Sequence, residues 1–213
     1  SGFGMTSQRT RTRMIERLRE MGIVDEEVLA AIAAVPRHIF VEEALASRAH
    51  EDTALPLGFS HTISQPYVVA RMIAALRAGR QLGRTLEIGA GCGYQAAVLA
   101  QLTDEVYAVE RIEPLLAKAR INLRAIKQLK VRLKHADGQL GLPEAAPFDT
   151  IIVAAAASRV PPALLRQLAP GGRMILPVGG ATQYLALIEH RTEGYVETRL
   201  DAVRFVPLLS GVE

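Results

Sequence analysis

Apolar positions recur with two different periods along this chain, and the change from one to the other predicts its architecture. Met14, Ile15, Leu18 and Met21 fall on one stripe at helical spacing, which predicts a helix over 7–21. Asp25 has the side chain of a helix N-cap, and Val28, Leu29 and Ile32 supply the buried stripe of a second helix, ended by Pro36. The stretch 49–65 shows neither period and reads as loop. Pro66 then opens a helix running to about Arg77, since proline suits a first helical position. Beyond it strands and helices alternate. Strands are predicted at 84–88, 105–110, 131–135, 148–153 and 172–178, with helices at 93–102, 112–127 and 161–168, and a loop carrying Asp137-Gly138 after the third strand. Alternation of this kind specifies a parallel sheet with helices on both faces and ligands at the carboxyl ends of its strands. The segments 183–190 and 195–207 have strand composition with no helix between them, which adds an antiparallel hairpin at the sheet edge. The expected fold is α/β, with a mostly parallel seven-stranded sheet.

Candidate chemistry sits at the first of these strands. Leu86-Glu87-Ile88-Gly89-Ala90-Gly91-Cys92-Gly93-Tyr94 reads as strand, glycine turn and helix start, and Val106-Tyr107-Ala108-Val109-Glu110 as the next strand with a terminal acid. Glycines at 89, 91 and 93 let the backbone turn sharply and let a ligand approach main chain that a Cβ would screen. A dinucleotide fingerprint needs its third glycine one place later, where this chain has Tyr94. GxGxG led by Glu87 is instead the S-adenosylmethionine version. That cofactor has no phosphate to cradle; Glu110 is placed to accept both hydroxyls of its ribose, and Glu87 to hold its cationic methionine end.

Composition narrows the class. At 213 residues the chain can bury one sizeable core, and without a long linker it reads as one domain over 5–213. Residues 5–80 form its helical and substrate-loop region and 81–213 its cofactor-binding sheet. Ser1-Gly2-Phe3-Gly4 reads as a cloning remnant and is set aside. The longest apolar run, 151–157, is far short of the about 20 residues needed to cross a bilayer, and no secretory signal is visible, so the cytoplasm is expected. A single cysteine, Cys92, forbids an internal disulfide, and nothing near it in sequence activates it as a nucleophile. The net charge is +3; the basic residues are scattered except for Arg9, Arg11, Arg13, Arg17 and Arg19, which read as a solvated helix face rather than a nucleic-acid site. The 5 histidines show no metal-ligand spacing, and no metal is expected. These residues alone leave open a methyltransferase of small molecules or nucleic acid, and a non-catalytic binding protein.

Further motifs are more specific. Val35-Pro36-Arg37-His38-Ile39-Phe40-Val41, Leu55-Pro56-Leu57-Gly58, Thr62-Ile63-Ser64-Gln65-Pro66-Tyr67, residues 86–99, Val109-Glu110-Arg111 and Ala146-Pro147-Phe148-Asp149 resemble the bacterial-type protein-L-isoaspartate O-methyltransferases over nearly the whole chain. The resemblance implies a Rossmann-like class I methyltransferase, favoured as a monomer. It also implies methyl transfer from S-adenosylmethionine to the α-carboxylate of isoaspartyl residues in damaged proteins, followed by closure to a succinimide. It implies Ser64 as the catalytic residue, substrate contacts at His61, Thr62, Ile63 and Ser64, and cofactor contacts at Glu87, Gly89, Ala90, Gly91, Gly93, Glu110, Arg111, Asp137 and Gly138. The chain departs from the family at His61, where glutamine is usual, at His50 for tyrosine, at Ala136 for glycine, and at Leu209 for a threonine that often contributes to the site. Physics alone offers Ser64 a second role, as a cap of the helix opened by Pro66.

Overall fold

Strand β3 (Thr85–Ile88) is buried on both faces, so every residue of it is apolar or finds an internal partner. The computed structural model describes residues 2–213, with side chains from residue 8; Ser1, first of the four residues set aside above, lies outside them. Around β3 the chain winds through α4 (Tyr94–Ala100), β4 (Val106–Glu110), α5 (Glu113–Ala125) and β5 (Val131–His135), then returns to the other side of β3 as β6 (Phe148–Val153). A short α6 (Pro162–Arg166) leads into β7 (Leu168–Gly179), followed by β8 (Gln183–Arg191) and β9 (Gly194–Val203). The sheet order is β5-β4-β3-β6-β7-β8-β9. All pairings from β5 to β7 are parallel, and β8 runs antiparallel to both its neighbours. The winding reverses between β3 and β6, and a crevice opens at such a reversal beyond the strands' carboxyl ends.

The amino-terminal third covers one face. In α1 (Gly2–Glu20) Met14 and Leu18 are buried, whereas Met21 is 42% exposed. The helix stops one residue before Met21, and Ile23 closes the stripe in its place. Arg11 and Arg17 depart from the expected solvated face: they donate to the carbonyls of Ala33 and His50 at 2.9 and 3.3 Å. Asp25 caps α2 (Glu26–Ala34) by accepting from the amides of Glu27 and Val28.

Three further expectations are corrected. The region 49–65 contains an antiparallel hairpin, β1 (Leu55–Gly58) and β2 (His61–Ile63), which burying Leu55, Leu57 and Ile63 stabilises. Leu168 belongs to β7 rather than to the preceding helix. The last strand ends at Val203, four residues earlier than its composition suggests, and residues 205–209 cross the crevice instead. Pro66 opens α3 (Pro66–Arg77) as expected.

Candidate active site

The loop after β3 folds back over β4 because Gly89 and Ala90 both donate to the Val109 carbonyl, each at 2.9 Å. That path needs φ of 91° at Gly89 and 90° at Gly93, a region costly for residues with a Cβ. Glu110 ends β4 beneath the loop and is 3% exposed. Its Oε1 accepts from the Gly91 amide at 2.9 Å and its Oε2 from the Ile112 amide at 3.0 Å. The backbone thus fixes the carboxylate, while each oxygen keeps a second lone pair for a hydroxyl in the crevice it lines. Gly138 lines the same crevice; a Cβ there would stand 2.5 Å from Ile88 Cγ2, so only glycine brings the chain so close to β3. Ala154 and Ala155, in the apolar run after β6, complete that wall.

Glu87 is fully buried. Its Oε2 accepts from Gln95 Nε2 at 3.0 Å, but its Oε1 has no partner among the described residues. Burial, with the charge of Glu110 nearby, pushes its pKa up to about 8. An orphaned carboxylate oxygen on the wall of an inner cavity, shared with Ser64, Gly89 and Ala90, fits the ammonium of the expected cofactor. Cys92 beside it is also buried, which pushes its thiol up to about 11 and leaves it inert as a nucleophile.

Thr62 and Ser64 face this cofactor region from β2 and the residues after it. Both line the crevice and the inner cavity, and both also line an outer groove against β9. The Ser64 hydroxyl makes no hydrogen bond to any described residue and does not cap α3. Asp52 does that from outside the local sequence, its Oδ1 accepting from the Tyr67 amide at 2.9 Å. Ser64 is instead held by its carbonyl, which accepts from Arg37 Nη2 at 2.8 Å. Arg37 is fully buried; its Nε donates to the Ala49 carbonyl at 2.7 Å and its guanidinium lies 4.8 Å from the Tyr94 ring centroid. One buried cation therefore ties the Ser64 loop to the start of α4. Arg37 stands in a motif that carried the resemblance, but nothing local in sequence marks contacts made 12 and 27 residues away.

The remaining expected residues fall in two groups. His61 and Arg111 line the crevice, as does Leu209. Ile63 differs, because its side chain is buried in the core and it borders the inner cavity rather than the crevice. Asp137 is not on the crevice wall: its Oδ1 accepts from the Gln139 amide at 2.9 Å and its Oδ2 from the Gly211 amide at 2.8 Å, which anchors the strap 205–209. His50 is buried away in a contact with Thr10, its Nδ1 3.1 Å from the hydroxyl, and burial lowers its pKa to about 4. Among the described residues no group of three or more His, Cys, Asp or Glu could hold a metal. Sequence reasoning missed the strap, Arg37, Asp52 and the two alanines.

Comparison with known proteins places this geometry. The pattern of the protein-L-isoaspartate(D-aspartate) O-methyltransferase family matches residues 9–213. The protein-L-isoaspartate O-methyltransferase of Dechloromonas aromatica (strain RCB) is 76% identical over 213 residues, 100% of this chain and 99% of that protein. That of Azoarcus sp. (strain BH72) is 68% identical over 206 residues, 96% and 95% of the two chains. A solved protein-L-isoaspartate O-methyltransferase superposes with a TM-score of 0.85 at 27% identity, over 95% of this chain and 67% of that one. A putative protein-L-isoaspartate O-methyltransferase from Plasmodium falciparum, in complex with S-adenosyl-L-homocysteine, does so with a TM-score of 0.82 at 26% identity, over 92% and 97%.

Proposed function

The chain belongs to the protein-L-isoaspartate(D-aspartate) O-methyltransferase family, and from that premise we propose which of its residues hold the methyl donor and which the substrate. The enzyme transfers a methyl group from S-adenosylmethionine to the α-carboxylate of L-isoaspartyl residues, beginning their repair through a succinimide. When bound, the cofactor supplies a methyl group made electrophilic by its sulfonium. Glu110 accepts the ribose hydroxyls on the lone pairs its backbone donors leave open, and Gly89 and Gly91 give the nucleoside access to main chain; Ala90 bears on the inner cavity, and Gly93 acts through the turn, packed against Ala119 and Leu123 of α5. Gly138 bears on the adenine end, with Asp137 setting the position of the strap and Arg111 closing the crevice. Glu87 Oε1 takes the ammonium. The observation that carries this reading is the pair of buried acids on either side of the glycine loop, one pinned by backbone amides and one with an orphaned oxygen.

The substrate asks little proton chemistry. An α-carboxyl group ionises near about pH 3.5, so the nucleophile arrives charged and no general base is needed. The site must strip water from that anion without leaving it unpaired, and hold it in line with the methyl carbon. The Ser64 and Thr62 hydroxyls supply donors, with the backbone of His61 and Ile63 beside them. Alignment of this kind is worth up to about 7–11 kcal/mol. Because Asp52 already accepts from the Tyr67 amide at the amino end of α3, the carboxylate is left to the donors of residues 61–64 rather than to that helix.

Ser64→Ala is expected to lower turnover on an isoaspartyl peptide by about 10- to 100-fold, the effect of one hydrogen bond to a charged group. Cofactor affinity and melting temperature should stay nearly normal, since the hydroxyl supports no other group. Unfolding, cofactor binding and initial rate on one preparation check this; full turnover would move the carboxylate to the backbone donors of 61–65. For Glu87, the raised pKa means that at pH 7 the ligand-free protein holds this proton, and pairing with an ammonium expels it. Binding of S-adenosylhomocysteine at pH 7 should therefore release up to about one proton and tighten as pH rises towards 8, with the release fading above that. Calorimetry in two buffers of different ionisation enthalpy reads the number directly. No proton exchange at pH 7 would place the ammonium elsewhere.

The substrates are damaged proteins rather than nucleic acids, and the enzyme works as a monomer in the cytoplasm. Engagement of Arg11 and Arg17 by backbone carbonyls supports the first point. Phe59 is covered by Lys118, whose Nζ lies 5.7 Å from its ring centroid, and Tyr195 stacks on His190, which supports the second. The lone cysteine agrees with a reducing compartment. Among the described residues no helix is long and apolar enough to cross a membrane.

A further inference from the structure

Thr62 and Ser64 stand where three spaces meet, and the reading above fills only two of them. The crevice beside Glu110 and the inner cavity beside Glu87 take the two ends of the cofactor. The third is an outer groove of about 210 Å³ between the first turns of α3 and the carboxyl end of β9. A polypeptide whose carboxylate lies at Ser64 has to leave the site, and this groove is the space left for it. Its charged wall is uneven. Asp201 is engaged on both oxygens: Oδ1 pairs with Arg71 Nε at 3.0 Å, and Oδ2 accepts from the Tyr67 hydroxyl at 3.1 Å. Nearby Asp52 is turned to the Tyr67 amide and to Gln65 Nε2, at 2.9 and 3.4 Å. Farther back on β9, Arg199 lies over the Tyr184 ring at 4.0 Å. Arg204, exposed and on the groove wall, has no ion-pair or hydrogen-bond partner among the described residues.

We propose that this groove binds the polypeptide flanking the isoaspartyl residue, and that Arg204 selects segments with an acidic side chain over segments with a basic one next to it. The proposal rests on the assignment of Thr62 and Ser64 to the substrate carboxylate. It makes the enzyme's choice among damaged sites partly electrostatic: a neighbouring glutamate gains an exposed ion pair, and a neighbouring lysine meets an unpaired like charge. Each effect is modest at an exposed site and weakened by salt, but the two add when the substrates are compared.

The test uses two sets of matched isoaspartyl peptides, with Glu, Ala or Lys placed just before the isoaspartyl residue in one set and just after it in the other. In at least one set the wild-type enzyme should favour Glu over Lys by about 3- to 30-fold in kcat/KM at low ionic strength, and the ratio should shrink in added salt. Arg204→Glu should invert the order, and Arg204→Ala should bring the ratio towards one even if the charge-reversed variant folds poorly. Equal rates for Glu and Lys peptides in both sets, or a wild-type order retained in both variants, would overturn the proposal while leaving the carboxylate site standing. Failure to methylate any peptide, the Ala-flanked ones included, would overturn both.

Discussion

Glu110→Ala is expected to weaken binding of S-adenosylhomocysteine by about 10- to 150-fold, or about 1.5–3 kcal/mol, the range for hydrogen bonds to a charged group. The size follows from how the acid is built in. It is 3% exposed, and its two oxygens are set by the amides of Gly91 and Ile112. A ribose therefore meets acceptors that need no reorganisation. The same substitution also strands two backbone donors beneath the glycine loop, so the variant should lose stability as well as affinity. Glu110→Gln separates the two effects. It keeps a side-chain oxygen for one amide but loses the charge, and its affinity should fall between those of the wild type and the alanine variant. Titration calorimetry of the three proteins, with thermal unfolding beside it, checks the order. Wild-type affinity in the alanine variant would take Glu110 off the ribose and leave it a loop anchor only.

The centre of the sheet was legible in the sequence because β3, β4 and β6 are largely buried on both faces and print as short, mostly apolar runs, whereas β5 at the edge shows as an alternation of apolar and polar positions. β5 and β6 lie at 131–135 and 148–153, the bounds their composition predicts. Asp25 and Pro66 acted as local signals because capping and a first-turn proline are decided within a few residues. The two acids proposed for the cofactor stood out for a related reason: a strand end and a glycine turn are both local features, and the topology sets Glu110 on the crevice and Glu87 on the inner cavity beside it.

What stayed hidden is long-range. The β1–β2 hairpin turns through Phe59 and Ser60 at φ of 55° and 59°, where glycine or asparagine would have announced it. Asp52 caps a helix 15 residues on in place of the adjacent Ser64, so the capping signature pointed at the wrong side chain. Arg37 reads as an ordinary surface cation until its contacts with the Ala49 and Ser64 carbonyls are seen. No local signal announced that Asp137 anchors the strap, since its bond to Gly211 spans 74 residues. The strap has the composition of a strand; what removes it from the sheet is pairing of the Ala156 amide with the Val206 carbonyl, and of the Leu208 amide with the Ala156 carbonyl, over the end of β6.

We propose that this site recognises a carboxylate by where it sits on the polypeptide. An isoaspartyl residue and its normal isomer have the same atoms and the same charge. In the isomer made by damage the backbone runs through the β-carbonyl, and the α-carboxylate is left on a short free branch. In the normal residue the free carboxylate stands one methylene farther from the backbone. Hydroxyl donors fixed on β2 and the turn after it cannot follow that displacement, and an error of about 1 Å in such an alignment costs about 100-fold in rate. Initial rates of methyl transfer from labelled S-adenosylmethionine to a matched pair of synthetic peptides test this most directly. The account predicts steady methylation of the isoaspartyl peptide and none detectable on the aspartyl peptide; equal rates on the two would contradict it.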